Sequence, residues 1–168
     1  MRSRTITEDE ILAVSTRDES HFFDRKALGI SGKKAQKIAV VFANADGGEF
    51  LVGISDDKEE NDPSKRWHGT PKLEELNGLL QALFQVTPTL ELKYEVLNSP
   101  SRQGQVLRVI VEKSAEVHKT SDGTVYQRYG AQSLLTFPRF HRHLYKEEQD
   151  EIGGQYEHQD QTAVYGRV

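Results

Sequence analysis

The chain has 168 residues, of which 29% are charged and none is cysteine, and its formal net charge is −4. A chain of this length fits one domain with a single hydrophobic core. The absence of cysteine excludes disulfides, thiolate metal sites and cysteine nucleophiles, so any metal ion would bind through oxygen or nitrogen. No apolar run approaches the roughly 20 residues of a membrane-spanning helix, and no secretion signal is visible, so we expect a cytoplasmic protein.

The charged residues are unevenly distributed along the chain. Residues 102–146 contain eight Lys or Arg residues and three acidic residues, whereas residues 147–168 contain six acidic residues and one arginine. The basic part is suited to contact phosphate groups. The acidic part has few apolar residues and predicts a flexible C-terminal tail, which follows a domain covering residues 1–146.

The N-terminal segment predicts a short helix followed by a strand. Thr7 and Glu10 have the spacing of a capping box, so a helix is expected over residues 8–14. A strand is expected around residues 20–27, where two phenylalanines precede a run of charged side chains.

The next segment predicts a helix, a buried strand and a long loop. Ser31 can cap a helix whose apolar residues recur every three or four positions, and Gly47 and Gly48 are suited to end it. Residues 49–54 are almost wholly apolar, which is typical of a central strand. Residues 55–71 are polar and form an unusually long connection for a compact domain.

The second half predicts a helix and then three strands. Leucines at helical spacing indicate a helix over residues 73–83, which must stop before Pro88. Residues 90–97 and 105–112 read as the two strands of a hairpin, and residues 124–130 as a further strand.

A last helix is expected over residues 139–149. The order of elements predicts an α+β fold, a single domain in which helices pack against a mixed β-sheet.

Four stretches together resemble a known family. In chain order they are ESHFFDRKA, KIAVVFANADGGEFLVGISDD, VLRVIVEKSAEVHK and GTVYQRYGAQS. They resemble the Schlafen-type AlbA-like domain, a nucleic-acid-binding module that is common in prokaryotes, over roughly residues 11–136. The fold implied is therefore Schlafen AlbA-like.

The resemblance implies contact with nucleic acid, and the family includes metal-dependent endoribonucleases that cut structured RNA such as transfer RNA as well as DNA-binding and ATP-binding regulatory domains. The endoribonucleases hold a divalent ion with three acids, which match Glu19, Asp24 and Asp56, or Asp57 if the loop is shifted by one position. Mg²⁺ and Mn²⁺ are the ions expected, because both prefer carboxylate oxygens. Two features depart from the family pattern: Asp24 stands where glutamate is usual, and Ser55 is an insertion.

The spacing of the charged residues adds a geometric expectation. Asp24 and Lys26 are two residues apart on a strand and so point to the same side, where Lys26 can balance charge on a phosphate. Glu19 is five residues from Asp24 and reaches the same site only if it lies in a turn before the strand. The alternative is that these side chains form an ordinary surface ion pair.

Basic and aromatic residues supply the predicted nucleic-acid contacts. The partner is RNA or DNA, bound through phosphate contacts and base stacking. The candidate residues are Arg25, Lys33, Lys37, His118, Lys119, Tyr126 and Arg128.

Two other interpretations stay open at the level of sequence. The first is a non-catalytic nucleic-acid-binding domain with the acids in structural pairs. The second is a nucleotide-sensing or protein-interaction module of a homo-oligomer or a larger defence or regulatory assembly. ATP is disfavoured as a cofactor, because no Lys-Ser or Lys-Thr follows the Gly-Gly pair and a P-loop is therefore excluded. No membrane partner is expected.

Overall fold

The computed structural model describes residues 1–130 and 132–135. The helices within these residues are α1 (Glu8–Thr16), α2 (Gly32–Ala43) and α3 (Asn77–Leu83). The strands are β1 (Arg2–Thr5), β2 (Phe23–Lys26), β3 (Gly48–Val52), β4 (Leu92–Asn98), β5 (Val106–Val111), β6 (Tyr126–Tyr129) and β7 (Gln132–Leu135). The helix predicted over residues 139–149 and the acidic segment 147–168 lie outside the described residues.

Both N-terminal helices begin at the predicted capping residues. The Thr7 hydroxyl accepts the Glu10 N–H, and the Glu10 carboxylate accepts the Thr7 N–H at 2.9 Å, which completes the capping box of α1. The Ser31 hydroxyl accepts the Lys34 N–H at 3.3 Å and caps α2. Each cap satisfies amide groups that have no partner within the helix.

The segment predicted as a third helix is helical in two parts. A short 3₁₀ turn, Leu73–Leu76, continues directly into α3. α3 packs against α2, and the Gln36 amide donates to the Ala82 carbonyl at 2.6 Å.

The main sheet is mixed and has the strand order β1-β4-β5-β3-β2. β4 and β5 form the predicted antiparallel hairpin, and β5 also pairs antiparallel with β3. β1 pairs parallel with β4, and β2 pairs parallel with β3. β3 is an interior strand, as its apolar sequence predicts, and the fold is α+β.

The two faces of this sheet carry different helices. Phe50 and Val52 on β3 belong to a hydrophobic cluster with α2 and α3, whereas Leu51 between them packs with Ile11 of α1. Alternate residues of a strand point to opposite faces, so the sheet has an α1 side and an α2 side.

β6 and β7 form a separate antiparallel pair, and β6 packs on α2. Asn44, which follows α2, donates to the carbonyls of His118 and Tyr126 at 2.9 and 3.0 Å. This side chain therefore fixes β6 on the α2 side. In the part of the chain that the structure describes, no helix has the length and apolar character needed to cross a bilayer.

Candidate functional site

The acidic site is built on the turn that leads into β2. Ser20 and Phe23 form an isolated antiparallel bridge, in which the Ser20 N–H donates to the Phe23 carbonyl at 3.0 Å. The chain reverses between these residues, so Glu19 before the turn and Asp24 after it come together. The spacing of the two acids requires Glu19 to lie before the strand, and the structure places it there.

Lys26 lies between the two carboxylates. Its Nζ is 3.0 Å from Glu19 Oε1 and 2.5 Å from Asp24 Oδ1. Asp24 is buried, and Glu19 and Lys26 are partly buried, so solvent screens these interactions less than it would at an open surface. We call Glu19, Asp24 and Lys26 the acidic site. It holds one negative charge more than positive when both acids are ionised.

The two acids of this site have different proton affinities. Burial raises the pKa of Asp24 to about 6, and its hydrogen bond with Glu19 acts in the same direction. Burial also acts to raise the pKa of Glu19, but hydrogen bonds from Asp24 and Lys26 outweigh burial and hold that pKa below its usual value. Asp24 is therefore the group that keeps a proton in mildly acidic solution, while Glu19 is ionised.

Arg128 holds the turn of the acidic site from the interior. Its Nε and Nη2 donate to the Ser20 carbonyl at 3.0 and 2.5 Å, and Nη2 also donates to the Phe23 carbonyl at 3.3 Å. Its Nη1 lies 3.7 Å from Asp24 Oδ2, and the guanidinium stacks on the Phe42 ring. Burial lowers the pKa of Arg128 from its usual value. Arg128, which lies in the stretch GTVYQRYGAQS, thus positions Glu19 and Asp24.

The predicted third acid does not join them. Asp56 Oδ1 accepts the N–H groups of Lys58 and Glu59 at 2.9 and 3.0 Å, within its own loop. Within residues 1–130 and 132–135, no three His, Asp or Glu side chains are grouped in a way that fits a metal ion. The structure therefore does not bring Asp56 together with Glu19 and Asp24, and its Oδ1 instead binds backbone amides of its own loop.

Asp57, the alternative third acid, lies on the other side of the sheet. Its Oδ1 binds the guanidinium groups of Arg25 and Arg66. Arg25 follows Asp24 on β2 and pairs in register with Leu51, which packs on the α1 side. Asp24 points to the α2 side, so the sheet separates the two carboxylates.

Three of the predicted nucleic-acid contacts lie in the interior. Arg25, His118 and Arg128 are 1%, 3% and 2% exposed. His118 Nδ1 is 2.8 Å from the Pro88 carbonyl. Arg25 binds the Asp57 carboxylate, and Arg128 binds the Ser20 carbonyl. While these internal partners are bound, none of the three side chains is free to contact an external phosphate.

The remaining predicted contacts lie on the surface of the α2 side. Lys33 and Lys119 are exposed, and Lys37 is partly exposed. The Lys37 ammonium lies over the Tyr126 ring, 5.0 Å from its centroid. Lys33 and Lys37 are one helical turn apart, so they share a face of α2. We call Lys33, Lys37 and Tyr126 the lysine face.

Within the described part of residues 102–146, several basic side chains pair with acids from other parts of the chain. Arg108 lies 2.5 Å from Glu49 and 2.9 Å from Glu95, and Lys113 lies 2.8 Å from Asp46. Local charge along the sequence therefore does not translate into a basic surface at these positions.

A known family shares the sequence that builds this geometry. The family model described as Schlafen, AlbA_2 matches residues 19–136. The chain belongs to the Schlafen AlbA_2 family. Membership identifies it as a nucleic-acid-related domain, and the match covers both the acidic site and the lysine face.

The comparisons with individual proteins give weaker similarity than the family model. No curated protein matches the chain. Among solved structures, it is similar to the DIP2311 protein from Corynebacterium diphtheriae, with 19% identity and a TM-score of 0.47. The similarity covers 76% of this chain and 28% of that chain, so this Schlafen AlbA_2 domain spans less than a third of that protein's length.

Arg66 has a role in this Schlafen AlbA_2 domain that the sequence does not predict. Arg66 is buried in the long loop and shares Asp57 with Arg25. The sequence does indicate that Arg25 is buried, because the period of two in β2 puts it on the same face as Phe23. A buried arginine needs a partner inside the protein. Nothing in the loop sequence singles out Arg66 as that partner.

Proposed function

We propose that this Schlafen AlbA_2 domain binds nucleic acid through the lysine face. The observation that supports the proposal most directly is the pair of lysines on α2 beside an aromatic ring. Lysines attract the phosphate backbone, and the Tyr126 ring beneath the Lys37 ammonium holds that charge at the surface of α2.

The lysine face differs from other basic positions on this domain. Within the described residues, no carboxylate lies within ion-pair distance of Lys33 or Lys37. By contrast, Lys93 pairs with Glu112 and Lys113 pairs with Asp46. Phosphate binding at the lysine face therefore breaks no internal ion pair among these residues.

A binding assay with matched variants tests this proposal. Fluorescence anisotropy with labelled transfer RNA and duplex DNA compares the unaltered protein with the double variant Lys33→Ala/Lys37→Ala. The double variant is expected to bind roughly tenfold more weakly to whichever polymer the protein prefers. The control, Lys93→Ala/Lys113→Ala, removes the same charge from ion-paired positions and is expected to bind almost normally. Equal losses of affinity in both variants would contradict the proposal.

A second candidate function is cleavage of structured RNA such as transfer RNA at the acidic site. A specific observation favours it: a buried carboxyl group with a pKa near 6 lies beside an ionised carboxylate and an ammonium group. A carboxyl group with such a pKa is suited to transfer protons near neutral pH. Asp24 would act as the acid or base, and Lys26 would stabilise charge on the phosphate.

Whether this cleavage depends on a metal ion is a separate question about the acidic site. Mg²⁺ is commonly held by one or two carboxylates together with substrate phosphates, but the Lys26 ammonium now lies between Glu19 and Asp24. The residues present therefore do not form a ready metal site, and the role of Mg²⁺ or Mn²⁺ has to be measured.

The experiment is incubation of purified protein with mixed transfer RNAs in Mg²⁺, in Mn²⁺ and in EDTA, followed by gel analysis. Cleavage by the unaltered protein that is lost in Asp24→Asn and kept in Asp9→Asn is the expected result. Asp9 is a matched control because it is an exposed carboxylate on α1, away from the turn of the acidic site. RNA that stays intact under every condition would eliminate this second candidate and leave the binding proposal standing.

A further inference from the structure

Two buried arginines on the α1 side share one carboxylate. Arg25 and Arg66 are 1% and 5% exposed, and both guanidinium groups bind the same oxygen, Asp57 Oδ1. Arg66 Nη1 lies 2.7 Å from this oxygen. The two positive charges therefore meet at a single negative charge.

The other partners of the two arginines are neutral. Arg25 Nη1 donates to the Arg17 carbonyl, and Arg66 donates to backbone carbonyls at 2.6 to 3.3 Å. Those carbonyls belong to Ser15, Glu60 and Asn61. Carbonyl groups satisfy N–H donors but do not cancel charge, and an uncompensated buried charge is costly. Arg25 Nε is also buried without a hydrogen-bond partner in the described part of the chain.

Asp57 lies between the buried arginines, Arg25 and Arg66, and solvent. Its side chain is 61% exposed and lies on the loop after β3, so its carboxylate covers the buried guanidinium groups at the surface. A carboxylate and a phosphate present similar oxygen pairs to guanidinium groups, and phosphate carries more charge.

We propose that Arg25 and Arg66 form a phosphate-binding site in which Asp57 is the internal anion that a phosphate group displaces. The site lies on the opposite side of the sheet from the acidic site and the lysine face. It does not depend on the proposed function, because inorganic phosphate alone is sufficient to occupy it.

A purely structural role for the same residues makes a different prediction. In that case Asp57 only fastens the loop to β2 and α1, and loss of its charge destabilises the fold in any salt. In a phosphate site, phosphate replaces the lost carboxylate and restores stability, whereas chloride at equal ionic strength does not.

The experiment compares Asp57→Asn with the unaltered protein by thermal unfolding at pH 7, in phosphate and in chloride of equal ionic strength. Phosphate is expected to raise the Tm of Asp57→Asn with an apparent Kd about tenfold lower than in the unaltered protein, because the competing carboxylate is gone. The control is Glu59→Gln, which removes an exposed charge from the same loop and should respond like the unaltered protein. Equal phosphate responses in Asp57→Asn and Glu59→Gln, or equal effects of phosphate and chloride, would overturn the proposal.

A second measurement locates the bound phosphate without further substitutions. In Asp57→Asn, phosphate titration should shift the ¹H–¹⁵N resonances of the Arg25 and Arg66 Nε–H groups. A change in Tm with no shift of these two resonances would also overturn the proposal, since the phosphate would then bind elsewhere.

A third comparison identifies the source of the phosphate. It measures binding of one oligonucleotide with a 5′-phosphate and with a 5′-hydroxyl end, using the Lys33→Ala/Lys37→Ala variant to reduce binding at the lysine face. Tighter binding of the phosphorylated form assigns the site to nucleic-acid ends. Equal binding, together with the Arg25 and Arg66 shifts in inorganic phosphate, assigns it to a free phosphate group.

Discussion

At the scale of single residues, the behaviour of the acidic site depends on where each charged side chain points. Asp24 and Lys26 share the α2 side, and Arg25 between them points to the α1 side. A period of two predicts this alternation from sequence. It does not predict which acid in the following loop returns to the site, because loop residues have no fixed period. This is why the predicted role of Asp56 as a third ligand is not supported, while Glu19 and Asp24 come together.

The proton affinity of Asp24 gives a prediction for stability against pH. The pKa of Asp24 is raised from 3.8 to about 6 in the folded protein, mainly by burial. The folded state therefore binds this proton more tightly than the unfolded chain, and the stabilisation is lost as pH rises through about 6. The lowered pKa of Glu19 acts in the opposite direction, but only below its usual value of 4.5.

We therefore expect the free energy of unfolding to fall between pH 4.5 and pH 7, relative to Asp24→Asn, by up to about 2 kcal/mol. Urea unfolding at four pH values across this range measures the difference. Asp18→Asn, at an exposed position nearby, should follow the unaltered protein. Parallel curves for the unaltered protein and Asp24→Asn would show that Asp24 does not hold this proton.

At the scale of elements, the regions that the sequence predicts well carry strong local signals. The capping box at Thr7, the cap at Ser31 and the alternation of β4 each define an element in a short window. β1 is not predicted, because all four of its residues are exposed and show no alternation. It exists as a strand through its parallel pairing with β4, more than 90 residues away along the chain, which no local pattern reveals.

The end of α2 provides a prediction at this scale. Gly47 has a φ of +78°, and a Cβ there would lie 2.9 Å from the Lys113 backbone nitrogen. We expect Gly47→Ala to lower the free energy of unfolding by about 1–3 kcal/mol, because both the backbone conformation and the close approach disfavour a side chain. Gly29→Ala meets nothing within 4 Å and should change it by less than about 0.5 kcal/mol. Urea unfolding compares the two variants, and equal effects would contradict this account of the turn.

At the scale of the whole molecule, folding redistributes the charge that is visible in the sequence. The excess of basic residues between positions 102 and 146 predicts a binding surface, but Arg108 and Lys113 pair with acids from distant segments, and Arg128 is buried. The lysine face on α2 is visible in the sequence as Lys33 and Lys37, but its significance depends on which other lysines are neutralised by the fold. Sequence alone therefore identifies the family and the candidate residues, whereas the surface requires the structure.

The most direct test of the central claim is the salt dependence of nucleic-acid binding. Anisotropy titrations of the preferred polymer at several KCl concentrations give the slope of log K against log [KCl]. We predict that Lys33→Ala/Lys37→Ala reduces the magnitude of this slope by about 2, roughly one for each phosphate that is no longer neutralised, while Lys93→Ala/Lys113→Ala leaves it unchanged. A slope that is the same in the unaltered protein and in Lys33→Ala/Lys37→Ala would show that nucleic acid does not bind at the lysine face.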